Sequence, residues 1–503
     1  MQKMLWMVRL DFQRWLANMD YLHLSITELH ELLKTGKVTP VDLVNEAIRK
    51  AKEDDNNAFE YIMEKEAMEI ANNLPPFEDN NPLWGIPFVI KDNYSTKDVL
   101  TTGSSNILNG YVPVFSSEVY QRLLNKHAIP VAKTTLDELA MGGTGTTGHL
   151  GRTYNPWDKS HKHQVGGSSC GSAAAVSAGI VPFSIGSDTG DSVRKPASFA
   201  NLVGNKPTWG RISRFGLFPF APSLDHVAFF TRNVADSAIV LNCLAGRDDK
   251  DSSSSFKEVE DYTLELNKDT KGKKIAVIKE IVDSIDNKDI LDAFNKSINK
   301  MKENGFVVDY VSVDERLLKA IYPAYIVISC AEATSNNANL DGVKFGPRYD
   351  GDTYQEVMMK ARTNGFSELI RRRFIIGSYS LLRENQEELF LRAQKARRLI
   401  VNAINKVLEQ YDAIYCPASP DIAPLFEGSS DKLSNEYLIA DNYLAIANFA
   451  GMPSITFPLG FSSGLPFGAN ITCKAFKESE SLNIANKIEE LIGLDNLVAK
   501  EEK

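Results

Sequence analysis

The chain has 503 residues, 43% of them apolar and 24% charged, with a formal net charge of −9; these fractions are near globular averages and exclude wholesale disorder. The acidic balance argues against a chain that grips nucleic acid by itself, because phosphate contacts dominate such affinity, so any RNA contact is assigned to a partner. Cys170, Cys243, Cys330, Cys416 and Cys473 are scattered and form no CxxC pair, which fits reduced thiols in a cytoplasm rather than a disulfide scaffold.

Met1 to Met19 is amphipathic, with Leu5, Trp6, Leu10, Phe12 and Trp15 among Lys3, Arg9 and Arg14. It lacks the apolar core and small-residue cleavage site of a signal peptide. A membrane-surface helix, a transit peptide or a true start at Met19 are the alternatives, and the last is favoured. Residues 1–18 are therefore set apart as an N-terminal extension, and 19–503 are read as one domain. No apolar run reaches the length of a membrane span. Residues 24–73 read as helices, with Thr39-Pro40-Val41-Asp42 marking a start because proline is tolerated in the first turn. Gly85 to Ile90 is a short apolar strand that leaves Lys91 at its end. Residues 117–126 are helical and Ala128 to Ala132 form the next strand. The small residues Ala173 to Ala178 suit a tightly packed helix, so Ser168 falls at or just before a helix N-terminus. Val181 to Ile185 is a buried strand. The run Asp248 to Ser255 reads as an exposed polar connection. Lys274 to Ile278 is a strand, and 288–304 a helix with Leu291, Phe294, Ile298 and Met301 on one face. Phe306 to Val313 is the strand that follows. Strand–helix–strand order predicts parallel pairing and an α/β fold. There is no internal repeat.

Chemistry concentrates in three stretches: Gly85 to Asn93, Gly166-Gly167-Ser168-Ser169-Cys170-Gly171-Ser172, and Gly186-Ser187-Asp188-Thr189-Gly190-Asp191-Ser192. None contains histidine, which excludes a Ser-His-Asp nucleophile within them. A lysine desolvated among apolar residues loses its proton more readily and can serve as a base. Such a lysine can draw a proton through one serine from another, and glycines let backbone N–H groups approach a reacting carbonyl. That combination suits amide hydrolysis. His161 and His163 flank a lysine in a polar loop without a second ligand pair, so no metal site is assigned.

These stretches resemble the amidase signature enzymes. Within that family the chain is similar to the A subunits of glutamyl-tRNA(Gln) amidotransferases, through Lys206 to Leu217, Ser223-Leu224-Asp225, Ala331 to Asn336 and Asn448 to Pro453. The resemblance implies the amidase signature fold, a large mixed β-sheet covered by helices on both faces. It places a signature core at about 85–245 and a glutamine-pocket part at about 320–475. It implies Ser192 as nucleophile, Ser168 as bridging serine and Lys91 as base, with Thr189, Gly190 and Asp191 in the oxyanion loop. It further implies Arg373 and Asp441 as the groups that hold the α-carboxylate and α-amino ends of glutamine. The implied function is a glutaminase that supplies ammonia for converting Glu-tRNA(Gln) to Gln-tRNA(Gln). GatB-like and GatC-like partners would hold the tRNA, ATP and Mg2+; no Walker-type phosphate loop occurs in this chain, and no cofactor is expected in it. The alternatives are a stand-alone amidase for small or aryl amides, and a catalytically weak structural subunit.

Three positions depart from the family pattern. Asp191 stands where most members have glycine, Cys170 replaces another glycine, and Lys344-Phe345-Gly346 stands in place of Arg-Tyr-Gly. A carboxylate at 191 would oppose a developing oxyanion unless it turns away and pairs with Arg194 or Lys195. Cys170 is expected to be a small packed residue.

Overall fold

Local sequence chemistry sets the first helices. In the computed structural model, which describes residues 20–427 and 439–499, Thr39 caps the helix Pro40–Glu53. Its Oγ1 accepts from the Asp42 N–H at 3.2 Å while the Asp42 carboxylate accepts from the Thr39 N–H at 2.9 Å, a reciprocal cap that satisfies two otherwise orphaned donors. The expected extension over 1–18 lies outside the described residues.

One sheet of 11 strands runs through the molecule. The strands are β1 (Phe59–Ile62), β2 (Pro87–Lys91), β3 (Ile129–Thr134), β4 (Phe183–Asp188), β5 (Val203–Lys206), β6 (His226–Thr231), β7 (Lys274–Ile278), β8 (Val307–Val311), β9 (Ala413–Pro417), β10 (Ser454–Ser462) and β11 (Leu465–Cys473). Their spatial order is β1-β3-β2-β4-β6-β5-β10-β11-β9-β7-β8. The pairs β2–β3, β2–β4, β7–β8 and β7–β9 are parallel, and the rest are antiparallel. Every residue of β2, β3, β4, β6 and β9 is buried. Successive strand residues face opposite sides, so the centre of the sheet is covered on both faces.

Two sequence expectations are corrected. Residues 24–73 are not helical throughout, because β1 interrupts them and pairs antiparallel with β3. The Asp248–Ser255 run is not simply exposed: Asp248 and Ser254 are buried, and Asp248 Oδ2 accepts from Ser213 Oγ at 2.5 Å. Among the described residues one helical stretch, Glu315–Asn336, does reach the length and hydropathy of a membrane span, with half of it buried inside the protein. Its second part, the helix Ile321–Asn336, packs against Glu368–Leu381 and Arg392–Leu408, so its apolar residues serve the core.

Candidate active site

Strand β2, between β3 and β4 in the sheet, carries Lys91 as its last residue, where the side chain is fully buried. Nζ lies 2.8 Å from Ser168 Oγ, 2.9 Å from Ser169 Oγ and 3.0 Å from Ser187 Oγ. All three partners are neutral hydroxyls. Burial therefore dominates and brings the lysine down from 10.5 to about 7, against the weaker opposing pull of Cys170, Asp137, Asp188 and Asp225. A neutral amine needs one hydroxyl to donate to its lone pair. Ser169 Oγ already donates to the Ser187 carbonyl at 3.1 Å, and Ser187 Oγ also accepts from Asn93 Nδ2 at 3.1 Å. Ser168 Oγ has no other side-chain partner among the described residues, so its proton, unlike that of Ser169, is committed to no other acceptor.

Ser168 follows a cis Gly167–Ser168 peptide and precedes the helix Cys170–Ser177, all of whose residues are buried. Gly167 has a steric reason: a Cβ there would meet Asp137 Oδ2 at 2.0 Å. Asp137 in turn accepts from the N–H groups of Thr144, Gly145, Thr146 and Thr147 at 3.0–3.1 Å. Its carboxylate shapes the loop that forms one pocket wall. Gly167→Ala is expected to displace this loop, lower stability by about 1–3 kcal/mol and raise KM; thermal unfolding and steady-state kinetics check it.

Ser192 is 3% exposed. Among the described residues its hydroxyl makes no hydrogen bond, and the link to the Ser168 segment is Ser169 N–H donating to Ser192 O at 3.2 Å. The preceding loop is held from three sides. Thr189 Oγ1 donates to Asp225 Oδ1 at 2.7 Å. Arg194 Nη2 donates to Gly190 O at 2.8 Å. The Tyr325 ring covers Gly190 so closely that a Cβ would meet it at 2.9 Å. Among the described residues the N–H groups of Gly190, Asp191 and Ser192 donate to no protein acceptor, which leaves them for an oxyanion.

Arg194 and Asp188 are both fully buried and 2.9 Å apart. Burial alone would raise the Asp188 carboxyl, but the charge and hydrogen bonds of Arg194 outweigh it and hold the group well below the usual range. Asn448 joins them, donating to Asp188 Oδ1 at 3.0 Å and accepting from Arg194 Nη2 at 2.7 Å.

A pocket of about 380 Å³ opens beside this loop, lined by Gly190, Asp191, Tyr325, Arg373, Thr144 and Asn442 among others. Arg373 Nε and Nη1 are buried without an acceptor, a costly state that an anionic ligand group would relieve. Asp441 does not line this pocket. Its Oδ1 lies 2.6 Å from Lys195 Nζ, which also reaches Asp191 Oδ2 at 3.2 Å. The cation beside Asp191 is thus Lys195, while Arg194 turns to Asp188.

Cys170 is buried, takes a contact from Thr153 Oγ1 at 3.3 Å, and burial pushes its thiol up to about 12. That is the state of a packed thiol, not a nucleophile. Phe345 stands edge-on to Tyr111 at 6.0 Å and does not line the pocket. His163 Nδ1 lies 2.7 Å from Asp158, and His161 stacks on Tyr154.

Sequence reasoning did not single out Ser169, Ser187, Asn93, Asp137, Tyr325 or Asn448 as site groups. The first three lie inside the quoted motifs and Asn448 inside a branch marker; Asp137 and Tyr325 carry no local signal. Ser223 and Glu332, from two separate branch markers, meet in the fold, with Ser223 Oγ donating to Glu332 Oε1 at 2.5 Å.

The model of the family described as "Amidase" matches residues 42–482. The chain belongs to the amidase family. The A subunit of the glutamyl-tRNA(Gln) amidotransferase of Enterococcus faecalis is 39% identical over 472 residues, 93% of this chain and 95% of that protein. The crystal structure of the corresponding subunit of Thermotoga maritima superposes with a TM-score of 0.78 at 35% identity, covering 94% of this chain and 96% of that one. A bacterial aryl acylamidase of the amidase signature family reaches a TM-score of 0.80 over 95% of this chain at 22% identity, a likeness of fold alone. The amidase signature fold and its large mixed sheet are therefore as the sequence predicts.

Proposed function

We propose that this amidase is the glutamine-hydrolysing subunit of a glutamyl-tRNA(Gln) amidotransferase. The observation that carries the chemistry is Lys91 buried against Ser168 at 2.8 Å, below a loop whose N–H groups are free. Ser168 passes a proton to neutral Lys91 while accepting one from Ser192, and Ser192 Oγ attacks the side-chain amide carbon. The Gly190, Asp191 and Ser192 N–H groups take up the negative charge on the carbonyl oxygen, where each such donor is typically worth about 10²–10³ in rate. The relay then returns the proton to the leaving nitrogen, ammonia departs, and water hydrolyses the acyl-enzyme by the same route in reverse.

Support for the substrate comes from charge. Arg373 presents two unpartnered N–H donors suited to an α-carboxylate, and Asp441 supplies an anion for the α-ammonium. Arg373→Ala is expected to raise KM for glutamine about tenfold or more, the loss of a charge-assisted hydrogen bond, with a smaller change in kcat. Hydrolysis of a neutral amide should be much less affected.

GatB-like and GatC-like partners are proposed because the relatives are A subunits of a glutamyl-tRNA(Gln) amidotransferase. They would bind the Glu-tRNA(Gln) and carry the ATP and Mg2+ chemistry. This reading treats residues 19–503 as one catalytic unit working in the cytoplasm. The test is ammonia release from glutamine by the chain alone and with those partners. Release that rises with partners and Glu-tRNA is expected. Release by the lone chain with simple amides preferred over glutamine would overturn it in favour of an independent amidase.

A further inference from the structure

Three hydroxyl oxygens surround Lys91 Nζ, those of Ser168, Ser169 and Ser187 at 2.8, 2.9 and 3.0 Å. Ser187 is 3% exposed, and Asn93, 1% exposed, donates from Nδ2 to Ser187 Oγ at 3.1 Å. The Ser187 backbone also fixes Ser169. Its carbonyl accepts from Ser169 Oγ at 3.1 Å, and its N–H donates to the same oxygen at 3.3 Å, so toward Lys91 the Ser169 hydroxyl can only accept. The ionisable groups around Lys91 are Cys170, Asp137, Asp188 and Asp225, and each is engaged elsewhere. Cys170 meets Thr153, Asp137 holds the pocket loop, Asp188 faces Arg194, and Asp225 accepts from Thr189 Oγ1 and the Phe220 N–H. Asp92, next in sequence, lies 3.1 Å from Lys133. Among the described residues the three hydroxyls are thus the only hydrogen-bond partners of the Lys91 amine.

In the relay the hydrogen of Ser192 passes to Ser168 while the hydrogen of Ser168 forms a new N–H bond on Lys91. The resulting ammonium has three hydrogens and no lone pair, and needs three acceptors. We propose that Ser187, braced by Asn93, is a positioning residue of this relay: it is the third acceptor that Lys91 needs while it holds the proton, until that proton returns through Ser168 to the leaving nitrogen. The inference rests on the Lys91–Ser168–Ser192 reading and deepens it, because it gives the base a partner outside the relay. Ser187 can also donate to the lone pair of the neutral amine. A hydrogen bond from a charged donor is roughly twice as strong as a neutral one, so the net effect of Ser187 favours the charged form. Asn93 acts in the opposite sense, since its N–H shares the lone pairs of one oxygen with the ammonium and sets a partial positive charge against it. Ser187 thus raises, and Asn93 lowers, the pH at which Lys91 becomes a base.

The experiment measures kcat/KM for glutamine with the assembled complex from about pH 5 to about pH 9. Ser187→Ala is expected to move the acid limb of the profile down by about one unit, a tenfold weaker hold on the proton, and to lower kcat on the alkaline plateau several-fold. Asn93→Leu, which keeps the branched shape and also removes the buried, unpartnered Asn93 Oδ1, is expected to move the limb the other way, up by about half a unit or more. A merely structural role would lower kcat and leave the limb where it is. A Ser187→Ala profile with its limb unmoved overturns the proposal, and so do limbs that move in the same direction in both variants. If Ser187→Ala does not fold, Asn93→Leu decides: an upward limb supports the proposal, and an unmoved or lowered one overturns it. A wild-type limb near neutrality that neither variant shifts sinks this inference alone, whereas a wild type without that limb removes Lys91 as the base and the relay reading with it.

Discussion

Ser192→Ala is expected to reduce glutamine hydrolysis by the assembled enzyme about 10⁴-fold or more, as removal of a covalent nucleophile does elsewhere. The fold should not suffer. The Ser192 hydroxyl has no hydrogen-bond partner among the described residues and its backbone carbonyl contact to Ser169 is retained, so nothing is left unsatisfied. Ser168→Ala should cost a comparable factor, because Ser168 Oγ lies 2.8 Å from Lys91 Nζ with its proton committed to no other group among the described residues. If the three residues form one relay, Ser168→Ala with Ser192→Ala will be no worse than Ser192→Ala alone. The pH profile supplies an independent check. Lys91 acts as a base only when neutral, and burial brings it down to about 7. Wild-type kcat/KM should therefore rise with pH through about 7 and fall away below it. Lys91→Met, which keeps the volume of the chain, should abolish both the activity and this limb of the profile. A wild-type profile flat from pH 6 to 8, taken as about one unit either side of that value, would remove Lys91 from the base role.

The parts of this molecule visible in its sequence are those whose determinants are local. Apolar runs bounded by turns located β2, β3, β4 and β7, and the Thr39/Asp42 spacing located a helix start that the structure caps as expected. β1 was hidden because Phe59-Glu60-Tyr61-Ile62 is short, only half-buried along its whole length, and followed by good helix formers. Its strand state comes from pairing with β3, a partner some seventy residues on. The Asp248–Ser255 run shows a second limit: polar composition predicts a loop but not its exposure. Here Ser254 Oγ donates to Asp248 O at 2.7 Å, so the polar groups satisfy one another and can be buried. The same division holds in the active site. Lys91 and Ser168 belong to compact motifs that the fold brings into contact. Tyr325 covers Gly190 from a distant helix, and Asp137 orders the pocket loop through backbone N–H groups that any sequence possesses. Lys195 could be read only as one of two cations near Asp191; its grip on Asp441 spans about half the chain.

Arg194→Met is expected to lower stability by about 3–5 kcal/mol, the usual consequence of removing one member of a buried ion pair. Neither partner has any exposed side-chain area, so Asp188 would keep a charge with no counter-ion and no water. Its remaining donors, the Val193 N–H at 3.0 Å, the backbone N–H of residue 194 at 3.3 Å and Asn448 Nδ2 at 3.0 Å, stabilise the anion only in part. For a chain this long the unfolding entropy is on the order of 1 kcal/mol per degree, so the apparent Tm should fall by roughly 3–5 °C. The loss will depend on pH with a definite sign. Asp188 is held below its unfolded value of 3.8, so in the wild type its contribution is fully present above that value and is lost as the pH drops through the lower folded one. In Arg194→Met that contribution disappears, and the gap between variant and wild type should narrow in acid. Activity should fall with stability, because Arg194 Nη2 also holds Gly190 O and Nη1 donates to Leu444 O at 2.7 Å. One guanidinium thus joins the oxyanion loop to the segment that carries Asp441 and Asn448. Arg194→Lys keeps the charge but cannot reach Asp188, Gly190, Leu444 and Asn448 together. It should recover part of the stability and little of kcat, and full recovery of kcat would show that the charge alone suffices.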